Sequence, residues 1–260
     1  MRTATSFALL IACLASADCA GTIAPPKTFA EPLAREAIVI LPGFGYSADG
    51  ERAIHALAPE MRDAGFDLYV PRYIRRAGLD SSGERLRRFL RERRLDRYQR
   101  VHVFAFLAGG WTFNELARDT TVLPNLASVV YDRSPYQERA PRLAAENLGL
   151  LSWLRYGSVL SEMAKTPYAP LARANVNVGL LIETVPTGFV KRFGNTARSY
   201  GPYAFGCGDF SQPHADCIYA SMNHTELYTR FDEIWPELRA FIRDGRFSAA
   251  AERTAPKEVR

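Results

Sequence analysis

Residues Val101-His102-Val103-Phe104-Ala105-Phe106-Leu107-Ala108-Gly109-Gly110 decide the fold. A run of β-branched and aromatic residues ends in small ones, the pattern of a buried strand that turns sharply into a helix. The strand is expected over 101–106 and the helix from about Ala108. Such an elbow, at the edge of a parallel sheet, holds up one side chain. Here that side chain is Leu107.

On either side of the elbow the chain alternates between strand and helix. Upstream, Ala37-Ile38-Val39-Ile40-Leu41 is an apolar run closed by Pro42-Gly43, suited to a strand buried on both faces. A helix is expected over 50–64, with Ile54, Leu57 and Met61 at helical spacing, then a strand over 66–70 stopped by Pro71. Residues 83–95 read as a helix with Leu86, Phe89 and Leu90 on one face. Downstream, strands are expected over 126–131, 176–182 and 216–221, and a helix over 236–243 with proline in its first turn. This alternation argues an α/β fold, a mainly parallel twisted sheet with helices on both faces. Residues 135–174 break the rhythm with Leu148, Leu150, Leu151, Trp153, Leu154, Tyr156 and Met163, and read as a small helical lid over the sheet's carboxyl edge. One domain is expected over 36–246, preceded by an arm over 18–35 and followed by a polar, frayed tail over 247–260.

Residues 1–17 read as a signal peptide. Arg2 begins it, Phe7 to Leu14 is a short apolar run, and Ala15-Ser16-Ala17 permits cleavage before Asp18. The expected location is secreted or periplasmic. The alternative is a lipid anchor in the envelope, since Leu10-Ile11-Ala12-Cys13 resembles a lipobox. Export fits a bridge between Cys207 and Cys217, worth about 2–3 kcal/mol for so short a loop. No Cys-x-x-Cys pair or histidine cluster has metal-ligand spacing, so neither a metal nor a cofactor is expected.

The net charge of +5 is carried mainly by arginine, lysine occurring only at 27, 165, 191 and 257. Arg85, Arg87, Arg88, Arg91, Arg93 and Arg94 crowd one face of the 83–95 helix. We read this as a solvated face whose arginine stems cover apolar neighbours. The alternative is weak contact with an anionic membrane surface. Aromatics interleaved for base stacking are missing, and nucleic-acid binding is not expected.

Three anchors then match a known family in order and spacing. They are Val39-Ile40-Leu41-Pro42-Gly43-Phe44-Gly45, the elbow at Ala105–Gly110, and Asn223-His224-Thr225-Glu226-Leu227 after the last strand. Over about residues 36–245 the chain resembles the α/β-hydrolase family of lipases and esterases. The resemblance implies oxyanion donors from the backbone N–H groups of Phe44 and Ala108, and a catalytic base at His224. For the acid it leaves Glu183, slightly favoured, Asp209, nearer to His224 in sequence, and Asp132.

The family's nucleophile, the serine of G-x-S-x-G, is replaced by Leu107 within Ala105-Phe106-Leu107-Ala108-Gly109. Leucine has no lone pair to attack a carbonyl and no proton for His224 to remove. Loss of the nucleophile costs about 10⁶-fold in rate. A leucine held at positive φ in the turn would itself cost about 1–2 kcal/mol. The expectation is a protein without serine-hydrolase activity, in which Phe44, Leu107 and Trp111 line an apolar pocket. Its partner would be an apolar or lipid-like small molecule, or another protein. The alternative is an active ester or lipid hydrolase with an unconventional nucleophile, for which Ser134, Cys207 and Asp132 are the available groups.

Overall fold

The computed structural model describes residues 34–256. The stretch read as a signal peptide, with Cys13 of its lipobox-like run, and all but the end of the arm lie outside them. Six strands form one sheet: β1 (Glu36–Leu41), β2 (Phe66–Tyr69), β3 (Arg100–Ala105), β4 (Leu126–Arg133), β5 (Asn177–Glu183) and β6 (Asp216–Ala220). Their order is β2-β1-β3-β4-β5-β6, and every neighbouring pair is parallel. The fold is α/β-hydrolase-like.

The apolar runs form strands because both faces of the sheet are covered. Alternate residues enter opposite layers, as the two-residue period of a strand requires. Val39, Leu41, Val103, Ala105, Tyr131 and Ile182 pack with α3 (Leu79–Glu92) and α4 (Leu107–Leu116). Ile38, Ile40, Phe104, Phe106, Val130 and Leu181 pack on the other side with α1 (Ala48–Ala56) and α10 (Phe231–Asp244). The intervening helices are α2 (Ala58–Asp63), α5 (Ala140–Tyr156), α6 (Val159–Lys165), α7 (Gly188–Arg192), α8 (Gly194–Ser199) and α9 (His224–Thr229).

Several expected boundaries move for identifiable reasons. The helix expected over 50–64 is two, α1 and α2, because Pro59 in the first turn of α2 has no N–H to continue the ladder. Pro236 lies inside α10 and not in its first turn, so that helix starts five residues earlier than expected. α7 and α8, between β5 and β6, were not anticipated. The tail is not frayed over its described part. Phe247 is buried, the Tyr219 N–H donates to Glu252 O (2.9 Å), and Arg253 pairs with Asp216. The tail thereby covers the outer edge of β6, which would otherwise present unpaired backbone groups. Cys207 and Cys217 form a disulfide. No helix among the described residues is long and apolar enough to cross a membrane.

Candidate functional site

The chain leaves β1 toward one edge of the sheet to make β2, then returns to place β3 on the other side of β1. At such a reversal of strand order the loops after the two strands diverge and open a crevice at their carboxyl ends. The loop after β1 carries Gly43 and Phe44, and β3 leads directly into α4 with Leu107 and Ala108.

The loop after β1 is held by two buried tyrosines. The Tyr73 hydroxyl donates to Pro42 O (2.7 Å), and the Gly43 N–H donates to the Tyr228 hydroxyl (2.7 Å). Neither tyrosine was singled out in the sequence, because both bonds join residues far apart in the chain.

At the elbow the structure departs from the expected strain. Phe106 caps α4 with extended backbone (φ −64°, ψ 154°), and Leu107 is its first residue. Among the described residues only Arg94 and Asn175 combine a side chain with positive φ. The turn has relaxed, and the strain anticipated for Leu107 is absent. Leu107 is 5% exposed. The small residues beside it are fixed by packing: a Cβ on Gly109 would meet Leu41 O at 2.5 Å and Leu41 Cβ at 2.9 Å, and one on Gly110 would collide with the Tyr168 hydroxyl.

Strand parity assembles the polar part of the site. Phe106, Asp132 and Glu183 continue the series Phe104, Val130 and Leu181, so all three face the layer that contains α9 and α10. His224 opens α9, behind the N-cap Asn223, whose side chain accepts from Thr225 N and Glu226 N. This cap and the Glu226 carboxylate returned to Asn223 N (2.9 Å) fix where the imidazole starts.

His224 Nδ1 donates to Glu183 Oε1 at 2.8 Å and lies 3.3 Å from Asp132 Oδ2. Both carboxyl groups are wholly buried, and neither Asp132 oxygen nor Glu183 Oε2 has a hydrogen-bond partner. Phe106 meets the imidazole edge-on and stacks on Tyr228, with ring centroids 4.0 Å apart. Burial alone would pull the imidazole down, but the Glu183 charge and Asp132 outweigh it and His224 is pushed up to about 10. Burial, then repulsion from Glu183, holds the Asp132 carboxyl well above the ordinary range.

Asp209 does not join this set. Its carboxylate accepts from Gly206 N (2.8 Å) within a local turn, so of the three acids weighed, Glu183 and Asp132 meet the histidine. The substitute nucleophiles are engaged elsewhere. Ser134 is buried and accepts from Gln137 N, Cys207 is in the disulfide, and Asp132 lies on the Nδ1 side of the ring. Among the described residues Nε2 makes no hydrogen bond, and the nearby backbone is Gly43, whose Cβ would stand 3.3 Å from it.

Apolar side chains fill the other side of the crevice. Ala108, Val159 and Met163 form a buried cluster with Phe44, Trp111 and Tyr156 against it. Phe44 and Tyr156 meet edge-on at 5.3 Å, which brings the end of α5 over the loop after β1. The segment expected as a lid thus touches Phe44 and Ala108, the two residues whose N–H groups were expected to donate to an oxyanion. The ligand atoms of Asp132, Glu183 and His224 lie within 4.8 Å of one another, a spacing a cation would accept. The imidazole Nδ1 is already bonded to Glu183 Oε1 at 2.8 Å, and we assign the set no metal.

No protein-family model and no curated protein matches the chain. Solved structures resemble it. The mature form of Bacillus licheniformis lipase BlEst2 is 15% identical, with 82% of this chain and 96% of that one covered and a TM-score of 0.49. Est1E from Butyrivibrio proteoclasticus is 13% identical over 83% and 90%, with a TM-score of 0.46. Juvenile hormone epoxide hydrolase from the silkworm Bombyx mori is 11% identical over 82% and 71%, with a TM-score of 0.45. These neighbours concern the fold; the chemistry of this chain has to come from its own residues.

Proposed function

We propose that this is an exported α/β-hydrolase-fold protein without serine-hydrolase chemistry, which binds an apolar or lipid-like ligand at the crevice between β1 and β3. The observation that carries this is Leu107, buried on an unstrained first helical residue where acyl transfer needs a nucleophile. Two further features support it. The Glu183 charge and Asp132 outweigh burial and hold the imidazole above its ordinary range, which disfavours its acting as a base, and the cluster of Phe44, Ala108, Trp111 and Tyr156 is apolar. The Cys207–Cys217 disulfide supports export, because such bridges persist in oxidising compartments. Hydrolysis through another nucleophile finds no support, since Ser134 and Cys207 are engaged elsewhere.

The test is to expose the purified protein to a fluorophosphonate probe and short-chain esters, and to titrate it with the apolar dye N-phenyl-1-naphthylamine. We expect no labelling, no turnover, and dye affinity that falls about tenfold in Trp111→Ala, a loss equal to about 1.4 kcal/mol. Labelling, or turnover that disappears in His224→Ala, overturns the reading.

A further inference from the structure

The second half of α5 is amphipathic in the wrong sense for a helix packed in water. Gly149 breaks the helix with φ 41° and ψ −113°, and the residues after it start a new phase. Leu150, Leu151, Trp153 and Leu154 are then 69%, 54%, 56% and 50% exposed, while Ser152 between them is buried. At 3.6 residues per turn the four apolar side chains cover about 160° of one helix face. A soluble helix places its apolar stripe inward. Four adjacent large side chains facing out form a patch that marks contact with something apolar.

Charge beside the patch says what that is. The Arg76 guanidinium donates to Leu154 O, and the Ser158 N–H donates to Arg76 O (2.9 Å), so the loop at 75–76 is tied to this end of α5. Arg75, Arg76 and Arg155 are exposed, and among the described residues none of the three forms an ion pair. Glu162, on the following helix, is turned away into bonds with Leu79 N and the Ser158 hydroxyl. Arg155 Nε also donates to the Tyr156 hydroxyl (3.0 Å), and its guanidinium lies over that ring. The arginines of α3 differ in pairing with carboxylates, Arg87 with Asp119 and Arg91 with Glu84.

We propose that the exposed face of α5 from Leu150 to Leu154, flanked by Arg75, Arg76 and Arg155, docks on an anionic lipid bilayer surface. Leucines and a tryptophan enter the boundary between headgroups and chains, and the unpaired guanidinium groups meet lipid phosphates. α5 also carries Tyr156, which packs on Phe44, so the docking face and the crevice share one helix. This goes beyond the ligand reading and does not depend on it, because it concerns the outer face of the lid and not Leu107.

The experiment is co-sedimentation of the full chain with phosphatidylcholine vesicles, with and without about 30 mol% phosphatidylglycerol, at low and high salt. We expect binding to the anionic vesicles, weakened by salt, and a blue shift of tryptophan fluorescence that is lost in Trp153→Phe. Leu151→Ser/Trp153→Ser should lower the partition coefficient about tenfold or more, and Arg75→Gln/Arg155→Gln should remove most of the salt dependence. These residues are exposed, so unchanged circular dichroism and thermal midpoint verify that each variant folds. No binding to either vesicle overturns the proposal, as does binding that the apolar double variant leaves intact. If that variant instead converts a dimer to a monomer with vesicle binding unaltered, the face belongs to a second copy of the chain and the proposal is wrong.

Discussion

The carboxyl end of β3 and the carboxyl ends of β4 and β5 lie along one edge of the same sheet and have been treated in opposite ways. At β3 the residue that opens the elbow helix is a leucine, and the turn around it carries no backbone strain. At β4 and β5 two wholly buried carboxyl groups still surround a buried histidine, an arrangement that costs desolvation and repulsion. A leucine there has no backbone strain to hold. Removing any one member of the His224, Glu183 and Asp132 set leaves the others buried without compensation, so the set contributes to stability whatever else it does. Buried residues of catalytic type therefore argue little about catalysis when their loss would be costly for the fold.

The largest effect should come from breaking the retained side of this contrast. His224→Ala leaves Glu183 wholly buried and without its donor, and should destabilise the protein by about 3–5 kcal/mol. Urea unfolding checks it. A loss below about 1 kcal/mol would mean that the carboxyl groups find other partners, and that the histidine is not kept for stability.

The two regions also differ in how much of them could be read from the sequence. The elbow was legible because its determinants are local: a β-branched run, then small residues that must approach Leu41 closely. The acid was legible only as three alternatives, of which Glu183, slightly favoured, and Asp132 both meet the histidine; that they do so together was not legible, because Asp132 and Arg133 look like the end of a strand that was expected to stop at Tyr131. In fact β4 runs on through both, since each meets its countercharge from a remote part of the chain or the next turn: Asp132 meets His224, and Arg133 meets Glu138. Strand parity could have placed Phe106, Asp132 and Glu183 on one face, had β4 been carried two residues further. The exposed face of α5 was visible only as an apolar excess, since nothing local says that Gly149 rotates it outward.

A second, smaller effect concerns the shared proton. His224, pushed up to about 10 from 6.5, contributes stability that is fully present below pH 6.5 and lost as the pH rises through about 10. Asp132 acts in the same direction: its folded carboxyl keeps a proton that the unfolded chain releases above about 3.8, so its folded form also weakens as the pH rises. Between about pH 7 and 9 the His224 proton alone makes the folded form lose about 1.4 kcal/mol per pH unit, and Asp132 adds to the loss in the same direction. Asp132→Asn should make stability fall less steeply as the pH rises, measured as the change in slope of unfolding free energy with pH. An unchanged slope would place the extra proton elsewhere.

The smallest effect should come from restoring the missing group. Leu107→Ser loses part of one buried side chain and should cost about 1–3 kcal/mol. It should not create a hydrolase. A serine at the first residue of a relaxed helix turns its hydroxyl toward the free N–H groups of the first turn, and the strain that would lift it toward a substrate is absent. The histidine that should take its proton is held above its ordinary range by the Glu183 charge and Asp132, which disfavours its acting as a base. We therefore expect no fluorophosphonate labelling of Leu107→Ser at pH 7. Labelling there would erase the contrast between the two edges, since it would mean that the β3 end lacks only an oxygen atom and that neither the backbone turn nor the setting of the histidine is a barrier to acyl transfer.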